Sequence, residues 1–343
     1  MRIVVDAFGS DTAPVPDVAG AVQAAREWGD EIILVGPEDQ IRQELAKHDT
    51  AGLNIRVVHA PEILTMEDHS DAVRSKVDSS IRVGMRLVKS GEADAFFSAG
   101  NTIAVLSSAI FDLRRIRGIR RPALATIYPP AFQPVLLLDM GATADCKPDY
   151  LLQFARMGAI YAERVLGIAN PRVGLLANGE EAEKGSLVVR ETYQVLQESE
   201  LNFVGNVEPK DVTRGEADVV VTDGFTGNIM VKTAESIASF VARMVKRDLL
   251  SGPLNKLALV LLLPGLLVAL PGLLLLYPGM RQLIKRLDYA EYGGALLLGV
   301  DGIAIVGHGR SNAKAVKSGV GQARLAVANG VIETIKAGLQ EGE

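Results

Sequence analysis

The sequence predicts an α/β fold with a mostly parallel sheet. Short β-branched runs bounded by Gly, Pro, Asp or Ser recur along the chain. Longer segments with apolar residues at helical spacing separate them. Strands that alternate with helices form βαβ units, whose crossover helices cover a parallel sheet. The 343 residues are 48% hydrophobic and 22% charged, enough to build a sizeable core and to exclude wholesale disorder.

In chain order, strands are expected at Ile3–Val5, Glu31–Val35, Asn54–Val58 and Ala95–Phe97. Pro16–Trp28, Ala-rich with Pro near its start, and Glu38–His48 read as helices between them. Pro134–Leu138, Val173–Leu176, Asp218–Val221 and Ile303–Val306 are later strands. Tyr150–Leu166, Lys184–Gln197, Asn228–Lys246 and Asn312–Lys336 are later helical stretches. No low-complexity linker divides the chain.

One segment departs from this alternation. Leu257–Met280 holds 24 residues without a charge, and Pro-Gly pairs at 264–265, 271–272 and 278–279 interrupt it. The length suffices for a membrane span, or for a buried core or dimer helix. Proline removes an amide donor and breaks the helical ladder, which argues against a simple span. A single crossing would also strand the residues after Gly293 away from the rest of the α/β domain. A broken helical hairpin that enters a membrane face and returns satisfies both constraints. Arg243, Lys246 and Arg247 before it, and Arg281, Lys285 and Arg286 after it, suit anionic head groups.

Five loops that follow strands are rich in Gly, Asn, Ser and Asp: 6–11, 98–102, 178–185, 222–228 and 307–312. Open α/β sheets bind ligands at the carboxyl ends of their strands, and amides at helix starts suit an oxyanion. The expectation is that these loops converge on one sheet edge as a polar crevice, although Gly and Asn at such turns commonly serve the turn alone. Arg114, Arg115, Arg117, Arg120 and Arg121 fall within eight residues of a protein of net charge −5. They read either as a solvated helix end or as a dock for an acidic partner, with Arg74, Lys76, Arg82, Arg86 and Lys89 extending the patch.

Several classes are excluded. The acidic balance and 5% aromatic content argue against nucleic-acid binding. One cysteine, Cys146, permits no internal disulfide framework and no multi-cysteine zinc site. No Gly-x-Gly-x-x-Gly follows the first strand, and Asp6 and Asp11 would repel a pyrophosphate. His48, His59, His69 and His308 lack metal-ligand spacing, and no Gly-x-Ser-x-Gly elbow occurs. No metal and no cofactor is expected, and positioning with electrostatics is favoured over a covalent intermediate. The start is too short an apolar run for a signal peptide, so a cytoplasmic location is expected.

Taken in order, the motifs resemble one family. Asp6-Ala7-Phe8-Gly9-Ser10-Asp11-Thr12-Ala13-Pro14, Ser98-Ala99-Gly100-Asn101-Thr102, Asp145-Cys146-Lys147-Pro148, Asp223-Gly224-Phe225-Thr226-Gly227-Asn228 and His308-Gly309-Arg310-Ser311-Asn312 are similar to the bacterial phosphate acyltransferases of phospholipid synthesis, the PlsX type. The match runs nearly end to end. The family usually carries Met-Gly-Gly-Asp-His where this chain has Phe8–Thr12, and Asn where Thr143 stands.

The resemblance implies a Rossmann-like three-layer α/β/α domain over residues 1–343, with a membrane-associating hairpin inserted at 248–288. It implies a homodimer at the cytoplasmic membrane surface. The implied reaction is attack of inorganic phosphate on the thioester of a fatty acyl group on acyl carrier protein. The acyl phosphate formed would feed a downstream glycerol-3-phosphate acyltransferase in phosphatidic acid synthesis. Within it, Lys184 would pair with phosphate or the developing oxyanion, and Asn228 would donate to that oxyanion. His308 would protonate the leaving thiolate or merely bond backbone. Asp6, Ser98, Asn101, Asn178, Asp223 and Asn312 would line the site. The arginine cluster would dock the carrier protein, and Leu261, Leu267 and Leu274 would enter the membrane. A phosphotransacetylase-like enzyme acting on acyl-coenzyme A and a non-catalytic membrane scaffold are the alternatives.

Overall fold

The computed structural model describes residues 1–128, 133–250 and 293–341, together with 261, 265, 269–272, 274–279 and 290. Its centre is an eleven-stranded sheet of order β3-β2-β1-β4-β11-β10-β5-β6-β9-β7-β8. The strands are β1 Arg2–Asp6, β2 Glu31–Gly36, β3 Ile55–His59, β4 Ala95–Ser98, β5 Ala123–Ile127, β6 Leu136–Leu138, β7 Val173–Leu176, β8 Phe203–Val207, β9 Val219–Val221, β10 Ala295–Leu298 and β11 Ile303–Val306. The expected strands are all present, within two residues at each end. Three were not anticipated: β5, β8 and β10.

Side chains alternate across the pleat and so assign the two faces. Ile3 and Val5 face one core; Val4 and Ile33 face the other. The first core is covered by α1 Val15–Trp28, α6 Pro148–Arg164 and α7 Leu187–Gln197, with α10 Ala313–Ala328 and α11 Val331–Glu341. The second is covered by α3 Ser70–Ser75, α4 Ser80–Lys89 and α5 Thr102–Ser108, the last running into a π turn at Ala109–Leu113. Helix α2, Glu38–Leu45, flanks β2 and β3, and α8, Pro209–Arg214, precedes β9. Helix α9, Gly224–Leu250, sets Met230, Val231 and Ala234 against Leu137 and Val220. The result is three layers, as expected. Tight spots explain some small residues: a Cβ on Gly319 would lie 2.0 Å from the Phe97 ring, and one on Gly20 would lie 2.5 Å from Val316.

The sheet reverses direction at its middle. β10 runs antiparallel to both β11 and β5, and β5 runs antiparallel to β6. All other pairings are parallel. The strands β3, β2, β1, β4 and β11 therefore point one way, and β6, β9, β7 and β8 point the other. This corrects the expectation of five loops on one strand edge. The loops after β1, β4 and β11 form one group; those after β6, β9 and β7 form a second.

Most of the hairpin expected at 248–288, Leu267 included, lies outside the described residues. Leu261 and Leu274 are described, at 72% and 65% exposed. Among the described residues no helix is long and apolar enough to cross a membrane.

Candidate active site

The first loop group is knit together by buried polar contacts. Asp6 ends β1 at 1% exposure. Its carboxylate accepts from Ser98 Oγ at 2.7 Å and from the Phe8 amide at 3.1 Å. Ser98 Oγ in turn accepts from the Gly100 amide at 3.0 Å. The Asp11 amide donates to the Gly309 carbonyl at 2.7 Å, which ties the β1 loop to the β11 loop. Asp6 and Ser98 thus lie beneath the loop surface and hold its shape.

Asn101 and Asn312 are N-caps. Asn101 Oδ1 accepts from the amides of Ile103 and Ala104, while its Nδ2 donates to the carbonyls of Thr65, Met66 and Asp68. Asn312 Oδ1 accepts from the Ala315 amide at 3.0 Å. His308 is exposed. Its Nδ1 accepts from the Arg310 amide at 3.2 Å, which leaves Nε2 as the donor position of a neutral ring.

The second loop group is organised by Asp139, which sequence reasoning passed over. Asp139 follows β6 at 0% exposure. Its Oδ1 accepts from the amides of Leu124, Gly141 and Ala142, and its Oδ2 from the amide of Thr143 at 2.6 Å. Burial pushes this carboxyl up, and the four backbone donors oppose the shift. Helix α9 begins against the same loop. The Gly224 amide donates to the Thr143 carbonyl at 2.8 Å, and a Cβ on Gly227 would fall 2.0 Å from the Asp139 carbonyl oxygen. That close approach requires glycine at 227. The signal in the sequence is an acidic residue directly after an apolar strand and two residues before a glycine.

Asn228 is the fifth residue of α9, one turn further in than the expected helix start. Its side chain lies 3.8 Å from where a Gly141 Cβ would sit. Asp223 accepts from the Thr226 amide and hydroxyl, both at 2.8 Å, so it too serves the helix start. Lys184 and Asn178 are exposed on the loop after β7, the strand beside β9. Helix α7 starts at Leu187, so Lys184 precedes it, and no carboxylate pairs with Lys184 among the described residues. Lys184 and Asn228 therefore belong to the second group, and His308 to the first.

Cys146 is half-buried and donates weakly to the Thr143 carbonyl at 3.4 Å. Burial foremost, with Asp139 and Asp223 adding, pushes its thiol up to about 12, so it carries no thiolate near neutrality.

The five arginines are exposed and flank this second group. The segment 114–116 lies along the β10–β11 turn: the Ile116 amide donates to the Gly299 carbonyl, and the Asp301 amide to the Arg114 carbonyl. Arg120 pairs with Asp149 at 2.6 Å, and Arg121 stacks 5.9 Å from the Tyr150 ring. The proposed extension of the patch is a correction. Lys76, Arg82, Arg86 and Lys89 pair with Asp68, Asp112, Asp78 and Asp301, and Arg74 lies over Phe111, so these side chains brace α3, α4 and the π turn.

Similarity to known proteins agrees with this architecture. The family described as "Fatty acid synthesis protein" matches residues 1–334. The chain belongs to that family. It is 50% identical to a phosphate acyltransferase of Herpetosiphon aurantiacus, with 100% of this chain and 99% of the relative covered. It is 46% identical to a phosphate acyltransferase of Geobacter sulfurreducens over 96% of this chain and 92% of the relative. Among solved structures, a phosphotransacetylase from Streptococcus pyogenes superposes with TM-score 0.59 at 16% identity, covering 97% of this chain and 94% of the other. A branched-chain phosphotransacylase from Enterococcus faecalis gives 0.56 at 14%, covering 95% and 99%. At that identity the likeness is one of fold.

Asp17 in α1 is fully buried; its Oδ2 accepts from Ser10 Oγ at 2.5 Å, and its Oδ1 has no partner among the described residues. Burial pushes its carboxyl up to about 8, the Ser10 hydroxyl opposing and the nearby Asp6 charge adding. Between about pH 4 and pH 8 the folded state keeps a proton that the unfolded chain has lost, so stability falls as pH rises, by at most about 1.4 kcal/mol per unit. Asp17→Asn should flatten this slope in urea midpoints measured from pH 5 to pH 8. An unchanged slope would show that Asp17 is ionised in the fold.

Proposed function

We propose that the protein transfers a fatty acyl group from the thioester of acyl carrier protein to inorganic phosphate, giving acyl phosphate for phosphatidic acid synthesis. The observation that carries this reading is the 50% identity, over the whole chain, to a phosphate acyltransferase. The geometry supports it through an exposed lysine and a half-buried asparagine at the ends of neighbouring parallel strands, flanked by exposed arginines. A phosphate oxygen attacks the thioester carbonyl carbon, the carbon–sulfur bond breaks, and the thiolate takes a proton to leave as free carrier protein. Phosphate is already a nucleophile, so the enzyme has to position it and stabilise the oxyanion. Lys184 holds phosphate, and the Asn228 amide donates to the oxyanion. His308 follows β11, at the opposite sheet edge from Lys184 and Asn228, so the thiolate takes its proton from solvent and His308 keeps the backbone-bonding role expected as its alternative. Asn178 and Asp223 border the Lys184–Asn228 group, while Asp6, Ser98, Asn101 and Asn312 act by shaping the β1, β4 and β11 loops.

The direct experiment incubates purified protein with palmitoyl carrier protein and phosphate and looks for palmitoyl phosphate by mass spectrometry. Lys184→Ala and Asn228→Ala should each lower turnover by about 10²–10³, the usual cost of one oxyanion donor. Near-normal turnover in either variant removes that residue from the mechanism.

The arginine cluster docks the acidic carrier protein. Charge reversal at Arg114, Arg115 and Arg117 should raise KM for the carrier protein more than it lowers kcat, the mark of lost uniform binding. Unaltered kinetics at low salt, or acyl-coenzyme A as the better donor, would move the docking elsewhere and favour the phosphotransacetylase-like alternative.

We also place the chain, as a homodimer, at the cytoplasmic membrane surface, where its product would meet a glycerol-3-phosphate acyltransferase. Exposed Leu261, Leu274, Leu275 and Leu276 support this, because large exposed apolar patches mark interaction surfaces. Leu261→Glu with Leu274→Glu should leave the protein in the supernatant after centrifugation with anionic vesicles, where the unaltered protein pellets. Pelleting by both would locate membrane contact in other residues.

A further inference from the structure

The five arginines at 114–121 do not share one environment. Arg120 pairs with Asp149 at 2.6 Å, and the Arg115 guanidinium donates to the Arg120 carbonyl. Arg121 meets no carboxylate among the described residues; its guanidinium lies 5.9 Å from the Tyr150 ring centre. Stacking on a ring holds a guanidinium in place and leaves its N–H edge open to an acceptor.

The chain directly after Arg121 is fastened to the turn organised by Asp139. Thr143 Oγ1 donates to the Pro122 carbonyl at 3.4 Å, the Leu124 amide to Asp139 Oδ1 at 2.9 Å, and the Met140 amide to the Leu124 carbonyl at 3.1 Å. The side chain stays on the side where α9 begins. Burial pushes the Cys146 thiol up, and the Gly224 amide and the Arg121 charge both oppose the shift, so both act at that sulfur. Cys146 Sγ and the Gly224 amide share the Thr143 carbonyl, and Asn228 is one turn further along α9.

We propose that Arg121 binds the inorganic phosphate substrate beside the start of α9, rather than docking the carrier protein with Arg114, Arg115 and Arg117. The proposal rests on the function proposed above. Charge demand is the chemical argument. Inorganic phosphate is multiply charged near neutrality, and the loops around Asn228 add the carboxylates of Asp145 and Asp223. Lys184 alone leaves that charge undercompensated. A guanidinium offers paired N–H donors that fit two phosphate oxygens at once.

The test measures KM separately for phosphate and for palmitoyl carrier protein. Arg121→Gln should raise KM for phosphate about tenfold or more, the scale of one lost charge-assisted hydrogen bond, with KM for the carrier protein unchanged. Arg121→Lys keeps the charge, loses the fork and should fall between. Arg117→Gln should show the reverse split. Arg121 is exposed, so neither change at 121 opens the core, and an unshifted urea midpoint checks this. Apart from turnover, the phosphorus resonance of inorganic phosphate should broaden on titration with the unaltered protein and stay sharp with Arg121→Gln. A rise in KM for the carrier protein as large as that for phosphate returns Arg121 to the dock, and unchanged KM for both removes it from substrate binding; either overturns the proposal. Broadening that Arg121→Gln abolishes, in a protein that forms no acyl phosphate, keeps the anion site and sinks the proposed reaction.

Discussion

Much of the second loop group depends on one buried carboxylate. Asp139 has lost its water, and the chain replaces it with four backbone amides drawn from two segments, β5 and the turn after β6. A buried ion without such partners would be expensive, so the turn must close around it. Closing the turn fixes the Thr143 carbonyl, which receives the first amide of α9. Helix α9 can approach only because 224 and 227 are glycines, with Asp139 atoms within 3 Å of where a Cβ would stand. The direction of α9, and with it the place of Asn228, follows from where Asp139 finds its donors.

The reversal at β10, β5 and β6 divides the labour of the loops. In a fully parallel sheet all strand-end loops would share one edge. Here the loops after β1, β4 and β11 spend their polar groups on each other: Ser98 on Asp6, Asp11 on Gly309, Asn101 on two amides and three carbonyls. The loop after β7 and the first turns of α9 leave Lys184 and Asn228 with side chains to offer. Chemical availability, rather than richness in polar residues, separates a candidate site from a well-built turn.

The layered α/β architecture was legible because burial on both faces writes strands as continuous apolar runs and helices as 3.6-residue periods. Ile303–Val306 and Val173–Leu176 were readable to the residue. The strands that escaped carry weaker signals. Phe203–Val207 contains Gly205 and Asn206, and Ala123–Ile127 opens on alanine and leucine directly after a proline. Strand direction was illegible, since antiparallel pairing in mid-sheet leaves no mark on single-strand composition. Motif content offered Asn101 and Asn312 as lining residues and Asn228 as an oxyanion donor, and the first two are helix caps, because a cap and a free side chain look alike until their partners are known. Ser10 shows the converse. It stands where the resembled family usually has glycine, and its hydroxyl donates to the buried Asp17 carboxyl.

Cations sort in the same manner, and their sorting bears on function. A protein of net charge −5 repels an acidic partner and a multiply charged anion on average, so attraction has to be local. Arg82 makes a two-point contact with Asp112, and Lys76, Arg86 and Lys89 each meet a carboxylate, so their fields are largely cancelled at a distance. Arg114 and Arg117 are exposed with no carboxylate partner among the described residues, on a segment pinned to the β10–β11 turn and to α6. Charges on a rigid segment keep their geometry at little entropic cost, whereas free lysines on a mobile loop would lose it. Screening limits their reach to about 8 Å at physiological ionic strength. The cluster can therefore favour an anionic partner only when that partner is already close to the sheet edge where β6, β9 and β7 end, which is the edge that carries Lys184 and Asn228.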